Sequence, residues 1–199
     1  MAEAPVITPP VAGQLFVAEN SAVNTPVGPP LASHDQDAGH EVLDYSIAWT
    51  DATGEGELPF VIGANSGQVT VAGDLDYETK ASYAVTVTVA DSTSPTPLTD
   101  STDVVIKLEN VNEDPVIDVS SLQMSVQENA GVGVVLGSVI ASDVDGPFLE
   151  YSLLPPAGSS ESDPAVAEAL ATLRIDRLNG QVSVAAATID YERRQRYDL

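Results

Sequence analysis

The sequence contains no cysteine among its 199 residues, so disulfide bonds and thiol chemistry are excluded. Only 7 residues are basic, against 30 acidic ones, which gives a net charge of −23. Phosphate backbones and anionic membrane surfaces bind clustered lysine and arginine, and this chain has few of either. The composition therefore argues against nucleic acid as a partner and against direct membrane insertion.

Aromatic residues make up 5% of the chain, and no apolar run approaches the roughly 18 residues of a membrane span. The first residues have neither the basic nor the apolar region of a secretory signal peptide. Carboxylate pairs can hydrolyse glycosides, but this also requires a cleft with stacking aromatics and an acid of raised pKa. Because aromatics are few and no Ser/His/Asp set or phosphate-binding loop is visible, the sequence predicts a protein that is not an enzyme.

A series of short motifs occurs twice in the chain, in the same order. The first copy has VAEN at 17–20, DQD at 35–37, NSGQV at 65–69 and LDYE at 75–78; the second has VQEN at 126–129, DVD at 143–145, LNGQV at 178–182 and IDYE at 189–192. The offset is 109 residues between Glu19 and Glu128 and 114 between Glu78 and Glu192, a drift that loop insertions produce. A period this long indicates two tandem copies of one whole domain.

Alternation of apolar and polar residues dominates both copies and predicts β-strands. The clearest strand is 83–89, with a hairpin partner at 104–108; further strands are predicted at 15–17, 43–47, 60–62 and 68–71. Short strands at this spacing indicate an antiparallel β-sandwich. In the second copy, Asp163 followed by Pro164 predicts the start of one short surface helix.

Acidic residues in both copies occur as pairs separated by one residue. In extended backbone, residues i and i+2 point the same way, so both carboxylates of such a pair converge. Calcium takes six to eight oxygen ligands, so several pairs would have to meet around one ion. The segment NVNEDP at 110–115, between the two copies, offers further oxygens. An EF-hand is excluded because Gly39 is at the fifth loop position and the later glutamate is out of register.

The acidic pairs also have a simpler interpretation as solvated surface that promotes solubility, or as an adaptation to salt. Each pair taken alone fits that interpretation. The ordered duplication favours calcium binding, and the two interpretations are compatible.

The ordered motifs, together with VTVAD at 87–91 and NVNEDP at 110–115, resemble the cadherin repeat family over nearly the whole chain. The variant linker is closer to cadherin-like repeats of large microbial surface proteins than to animal cadherins. The resemblance implies an all-β fold of tandem Greek-key, immunoglobulin-like β-sandwiches. The expected organisation is a leading segment at 1–13, one repeat at 14–113, and a second repeat at 114–199 that lacks its last two strands.

The resemblance also implies calcium between successive repeats. The implied ligands at the junction of the two copies are Glu19, Asp76, Glu78, Asn110, Val111, Asn112, Glu113, Asp114, Asp143 and Asp145, with Val111 and Asp114 acting through backbone carbonyls. Six more would face neighbouring repeats: Asp35, Asp37 and Asp91 a preceding one, and Glu128, Asp190 and Glu192 a following one. The chain is therefore expected to be a piece of a longer array. Asn110 matches a position that is normally aspartate, so it supplies an oxygen without the charge.

The residues and the resemblance together predict a non-catalytic, Ca2+-binding module of an extracellular, cell-surface or membrane-associated protein. Its expected role is a calcium-stiffened spacer or an adhesion element whose partner is another protein, including a second copy in homophilic adhesion. The alternative is a carbohydrate-binding module of a microbial surface or secreted protein, with polysaccharide as its partner. Exposed aromatics on a shallow face would favour sugar binding, whereas a smooth acidic surface would favour the spacer.

Overall fold

A computed structural model of the chain describes residues 3–11, 14–36, 43–50, 56–91, 96–186 and 189–197. The chain divides into two compact units, unit 1 at Met1–Asn112 and unit 2 at Glu113–Leu199. Both are built mainly of β-strands, as the alternation in the sequence predicts.

Unit 1 is a β-sandwich whose larger sheet has four strands. Its strands are β1 (Val6–Thr8), β2 (Phe16–Ala18), β3 (Ala32–His34), β4 (Asp44–Trp49), β5 (Phe60–Ile62), β6 (Val69–Val71), β7 (Ser82–Ala90) and β8 (Thr99–Glu109). The four-stranded sheet has the order β2-β8-β7-β4, with β2 parallel to β8 and the other pairs antiparallel. The pairs β1-β3 and β5-β6 form the remaining sheets.

The alternation along β7 and β8 explains how the core of unit 1 forms. On β7, Tyr83 and the valines at 85, 87 and 89 are buried, while the residues between them are half-buried or exposed. Val104, Ile106 and Leu108 of β8 are buried in the same way. Because successive side chains of a strand point to opposite faces, both strands present one continuous apolar surface to the core. The predicted hairpin of these two strands is confirmed by their antiparallel pairing.

Unit 2 contains shorter strands and the only α-helix within the described residues. Its elements are β9 (Val116–Ile117), a 3-10 turn (Val119–Leu122), β10 (Val135–Ser138), β11 (Ala141–Ser142), α1 (Pro164–Thr172), β12 (Leu173–Ile175) and β13 (Gln181–Val184). The order β10-β13-β12 forms one sheet, and β9 pairs with β11. In residues 185–186 and 189–197, the described part of the chain beyond β13, no further strand follows.

The repeat seen in the sequence is also present in the backbone. Asn20 and Asn129 both adopt positive φ, at 57° and 60°, a conformation that asparagine tolerates better than most residues. The N–H of Asn20 donates to the carbonyl of Leu75 at 3.1 Å, and that of Asn129 to Ile189 at 2.8 Å. The asparagine of each VxEN motif therefore turns the chain so that the motif meets its LDYE or IDYE partner.

Two glycines serve the same turn in the two units. Gly67 and Gly180 have φ of +63° and +67°, and a Cβ on either would lie 2.5 Å from a backbone carbonyl oxygen, that of Leu31 or of Val139. Both the dihedral angle and the close approach require glycine. This accounts for the glycine of the NSGQV and LNGQV motifs.

Two sequence predictions need correction. Residues 1–13 were expected only as a leading segment, but Val6–Thr8 forms β1, which pairs with β3 and buries Ile7. The helix begins at Pro164 with Asp163 as its N-cap, as predicted, but it is not purely a surface helix. Its residues Val166, Ala169 and Thr172 are buried, because apolar or small side chains recur every three residues on one face.

Unit 2 leaves more apolar surface exposed than unit 1. Among the described residues, thirteen large exposed apolar side chains lie in unit 2 and seven in unit 1. Leu136, Leu153 and Ile189 line an open groove of about 430 Å³ in unit 2. Much of the core of unit 1 comes from β7 and β8. The described part of unit 2 contains no strands equivalent to these two.

Candidate metal centre

Glu19 is a buried acid at one end of unit 1. It follows β2 directly and is 2% exposed. Its two carboxylate oxygens accept hydrogen bonds from main-chain N–H groups, Oε2 from Tyr77 at 2.7 Å and Oε1 from Val111 at 2.9 Å. Main-chain donors cannot rotate away as side chains can, so this carboxylate is fixed in place by the fold.

Glu78 lies beside Glu19 on the exposed side of this end. A carboxylate oxygen of Glu78 and one of Glu19 lie within 4.8 Å of each other. Two oxygens that share one calcium at 2.3–2.6 Å can be separated by at most roughly 5 Å, so the pair is close enough to hold one ion. Asn110, the first residue after β8, donates its side-chain Nδ2 to Glu78 Oε1 at 2.7 Å.

Asp76 is engaged with its own turn. Thr79 donates its backbone N–H to Asp76 Oδ1 and its hydroxyl to Oδ2, both at 2.8 Å. The backbone hydrogen bond and then the hydroxyl of Thr79 lower the pKa of Asp76, so this exposed group stays ionised at neutral pH. The sequence interpretation missed Thr79, although an aspartate three residues before a threonine is a recognisable capping pattern.

In unit 2, three predicted ligands lie close together. The N–H of Glu113 donates to Asp145 Oδ2 at 2.6 Å, and the N–H of Asp145 donates to Asp143 Oδ1 at 2.8 Å. Asp145 Oδ1 is buried and accepts no hydrogen bond from the described residues. A buried carboxylate oxygen without a donor is costly unless a cation serves as its partner, so this donor set fits a hard divalent ion.

The remaining linker residues are accessible. Val111 is 40% exposed, and Asn112 and Asp114 are exposed as well. Their backbone and side-chain oxygens are the kind of neutral and anionic ligands that calcium takes.

The predicted ligands at the outer ends differ in burial. Asp91 is 4% exposed and accepts the N–H of Leu98 at 3.0 Å, while Asp35 is half-buried; Asp37 lies outside the described residues. In unit 2, Glu128, Asp190 and Glu192 are all exposed. Asp190 Oδ1 accepts the N–H of Arg193 at 3.2 Å, the same turn geometry as Asp76 with Thr79.

A second cavity, of about 400 Å³, lies on unit 1 around two aromatic rings. Trp49 stacks on Tyr83 with ring centroids 5.8 Å apart. Lys80 Nζ lies 4.3 Å from the centre of the Trp49 ring, in a cation–π contact. The ammonium thus covers a face of the Trp49 ring on which a sugar ring would stack, and Trp49 packs against the core of unit 1.

The comparisons with known proteins agree with this fold. Residues 14–109 match the family model for the cadherin domain. The chain is 32% identical over 171 residues to the Cadherin EGF LAG seven-pass G-type receptor fmi-1 of Caenorhabditis elegans, which covers 82% of this chain and 6% of that protein. It is 31% identical over 163 residues to cadherin-24 of Mus musculus, which covers 76% of this chain and 20% of that protein.

Solved structures give the same result. The crystal structure of mouse cadherin-23 EC22-24 superposes with a TM-score of 0.60 and 26% identity, over 94% of this chain and 56% of that one. Human protocadherin-24 EC1-2 superposes with a TM-score of 0.62 and 23% identity, over 98% of this chain and 82% of that one, which supports the fold.

The immunoglobulin-like β-sandwich of unit 1 is the class of fold that these relatives share. The chain belongs to the cadherin repeat family, whose members are non-enzymatic adhesion proteins with domains on the cell surface. It spans 6% to 20% of the length of the curated relatives it matches. Among the described residues, no helix combines the length and apolar character needed to cross a bilayer.

Proposed function

We propose that this chain is a calcium-binding, non-catalytic cadherin module that acts as a calcium-stiffened spacer or adhesion element. The observation that carries the proposal is the fixed carboxylate of Glu19, held by two main-chain donors with a Glu78 oxygen within 4.8 Å. Two anionic oxygens at this distance repel each other, and a divalent cation turns the repulsion into attraction.

The proposed ligands come from both units. Glu19, Glu78 and the Val111 carbonyl would belong to unit 1. The Asp114 carbonyl, Asp143 and the donor-free oxygen of Asp145 would belong to unit 2. Calcium bound there would supply charge neutralisation and a common coordination centre. The chain's own residues would then restrict the angle between the units, since ordering around the ion is coupled to binding.

Asp35, Asp37 and Asp91 at one end, and Glu128, Asp190 and Glu192 at the other, are proposed as half-sites for neighbouring repeats. Their ligand chemistry is the same as at the junction. In this account the stiffened unit recurs along an array, and its length sets the distance over which adhesion acts.

The proposed partner is another protein, including a second copy of the same chain. With a net charge of −23, two copies of the chain repel each other, and bound cations reduce this repulsion. The relatives give no support to polysaccharide as the partner, and Lys80 lies over the half-buried Trp49 ring, where a sugar would otherwise stack.

Thermal unfolding in calcium and in chelator tests the proposal. Extracellular calcium modules bind at roughly 10⁻⁴–10⁻³ M, so ~10 mM calcium stabilises one site by about 1.4–2.7 kcal/mol. Magnesium at equal ionic strength is the matched control, because it prefers a smaller octahedral site. A calcium-specific rise in melting temperature supports the proposal, whereas identical curves in calcium and chelator would reject it.

A further inference from the structure

Glu19 and Glu78 form the acidic end of unit 1. Asn110 is the first linker residue after β8, and its side-chain amide contacts the carboxylate of Glu78. Its Nδ2 donates to Glu78 Oε1 at 2.7 Å. A side-chain amide has a donor end and an acceptor end, and the acceptor end would repel the Glu78 carboxylate. The NH2 group is therefore the end that faces Glu78.

This contact completes a set of hydrogen bonds that hold both glutamates without a cation. Glu19 is held by the N–H groups of Tyr77 and Val111, and Val111 is the residue next to Asn110. Glu78 is exposed, and the amide of Asn110 supplies its carboxylate with a neutral donor. An aspartate at 110 would instead bring a third carboxylate to the two glutamates.

We propose that Asn110 sets the calcium affinity of this end of unit 1 by acting as a neutral latch on Glu78. The inference rests on the proposed calcium site. The latch keeps the acidic end assembled in the absence of calcium, and a calcium ion that binds Glu78 Oε1 competes with the amide for that oxygen. The module therefore trades calcium affinity for stability without calcium.

The substitution Asn110→Asp tests the latch, with Asn65→Asp as the matched control. Asn65 is exposed in the turn before Gly67, so its substitution makes the same change in net charge away from the acidic end. Asn110→Asp should tighten calcium binding by at least about tenfold in calorimetric titration, because affinity rises with the number of charged ligands. In chelator it should melt at a lower temperature than Asn65→Asp. Equal affinity and equal melting of the two variants would overturn the proposal.

A second variant separates the donor from the added charge. Asn110→Ala removes the amide without adding a carboxylate, so it should lower the melting temperature in chelator and tighten calcium binding by less than Asn110→Asp does. If Asn110→Ala melts like the wild-type chain in chelator, Asn110 is no latch.

The outcomes also separate this inference from the proposed function. If the wild-type chain gives no calcium-binding heat and no calcium-dependent melting, the proposed function fails, and the inference about affinity fails with it. If the wild-type chain binds calcium but Asn110→Asp behaves like Asn65→Asp, the proposed function stands and only the latch is rejected.

Discussion

The main-chain N–H of Val111 donates a 2.9 Å hydrogen bond to Oε1 of Glu19, although 92 residues separate them in the sequence. The contact joins the end of β8 to the end of β2, which run parallel in the same sheet. It places Val111, near the end of unit 1, against Glu19, which directly follows β2. The acidic end of unit 1 is therefore assembled by the pairing of β2 with β8 in the sheet.

Replacing Glu19 should destabilise unit 1 strongly. Glu19→Ala removes the acceptor of two main-chain donors and leaves a buried gap, which should lower the free energy of unfolding by roughly 2–4 kcal/mol. Trp49 is the single tryptophan and lies in β4, so its fluorescence in a denaturant titration reports on unit 1. Glu109→Ala, at an exposed position of β8, is the control and should change stability by less than about 0.5 kcal/mol. Equal effects of both substitutions would mean that the Glu19 contacts contribute nothing.

Glu78 and Glu192 occupy the same place in the two copies, and their substitution should have unequal effects on calcium binding. Glu78 has a Glu19 oxygen within 4.8 Å and accepts a hydrogen bond from Asn110 of the linker, whereas Glu192 is an exposed residue of unit 2. Glu78→Ala should therefore weaken calcium binding by about tenfold or more in calorimetric titration. Glu192→Ala should leave the tightest binding step unchanged. Equal losses in the two variants would show that the junction has been misassigned.

The sequence predicts β7 and β8 well, because their alternation is a local pattern that one strand carries by itself. It does not predict β1, since three residues between prolines carry little alternation and the partner strand β3 begins 24 residues beyond Thr8. The acidic motifs identify Glu19 and Glu78 as a set. They cannot reveal that main-chain groups of Tyr77 and Val111 hold Glu19, because that depends on the closed sheet.

The orientation of side chains at the candidate site is likewise beyond the sequence. Asn110 is predicted to supply an oxygen, yet its nitrogen donates to Glu78. Asp76 is predicted as a ligand, and both of its oxygens accept hydrogen bonds from Thr79. Each of these arrangements depends on which donor lies nearest in the folded chain, and motif spacing does not encode that.

Gly67 should tolerate no side chain. Gly67→Ala places a Cβ 2.5 Å from the carbonyl oxygen of Leu31 at a positive φ, and should cost more than about 2 kcal/mol of stability. Gly56 is the control, because its φ of +79° is equally unfavourable for alanine but nothing lies within 4 Å of the added Cβ. Gly56→Ala should cost only the backbone penalty of about 1 kcal/mol. Trp49 fluorescence follows both, and equal costs would contradict the close approach at Gly67.

Asp118 should titrate below the ordinary value of 3.8. Hydrogen bonds from the side chain and then the backbone of Ser120 lower the pKa of this exposed carboxyl, which caps the 3-10 turn of unit 2. Because the pKa of Asp118 is lower in the folded chain than in the unfolded chain, its ionised carboxylate stabilises the folded chain. This stabilisation is fully present above the unfolded pKa and is lost as the pH falls through the folded pKa. Carbon-detected NMR titration should find the midpoint below 3.8, and Ser120→Ala should raise it. An unchanged midpoint in Ser120→Ala would refute the assignment.

Hydrogen exchange should be faster in unit 2 than in β7 of unit 1. The amides of β7 lie in a strand paired on both sides, by β8 and β4. Unit 2 has short strands and most of the exposed apolar side chains among the described residues, which is typical of lower local stability. Exchange followed by mass spectrometry on the whole chain at low concentration measures this. Uniform protection of both units in a monomer would contradict the expectation.

Small-angle X-ray scattering in calcium and in chelator measures whether calcium stiffens the junction proposed between the two units. Millimolar calcium should narrow the distribution of interatomic distances and extend its longest values, and Glu78→Ala should suppress this change. Glu192→Ala should respond to calcium as the wild-type chain does. Superimposable scattering curves in calcium and chelator, at matched ionic strength, would contradict the account.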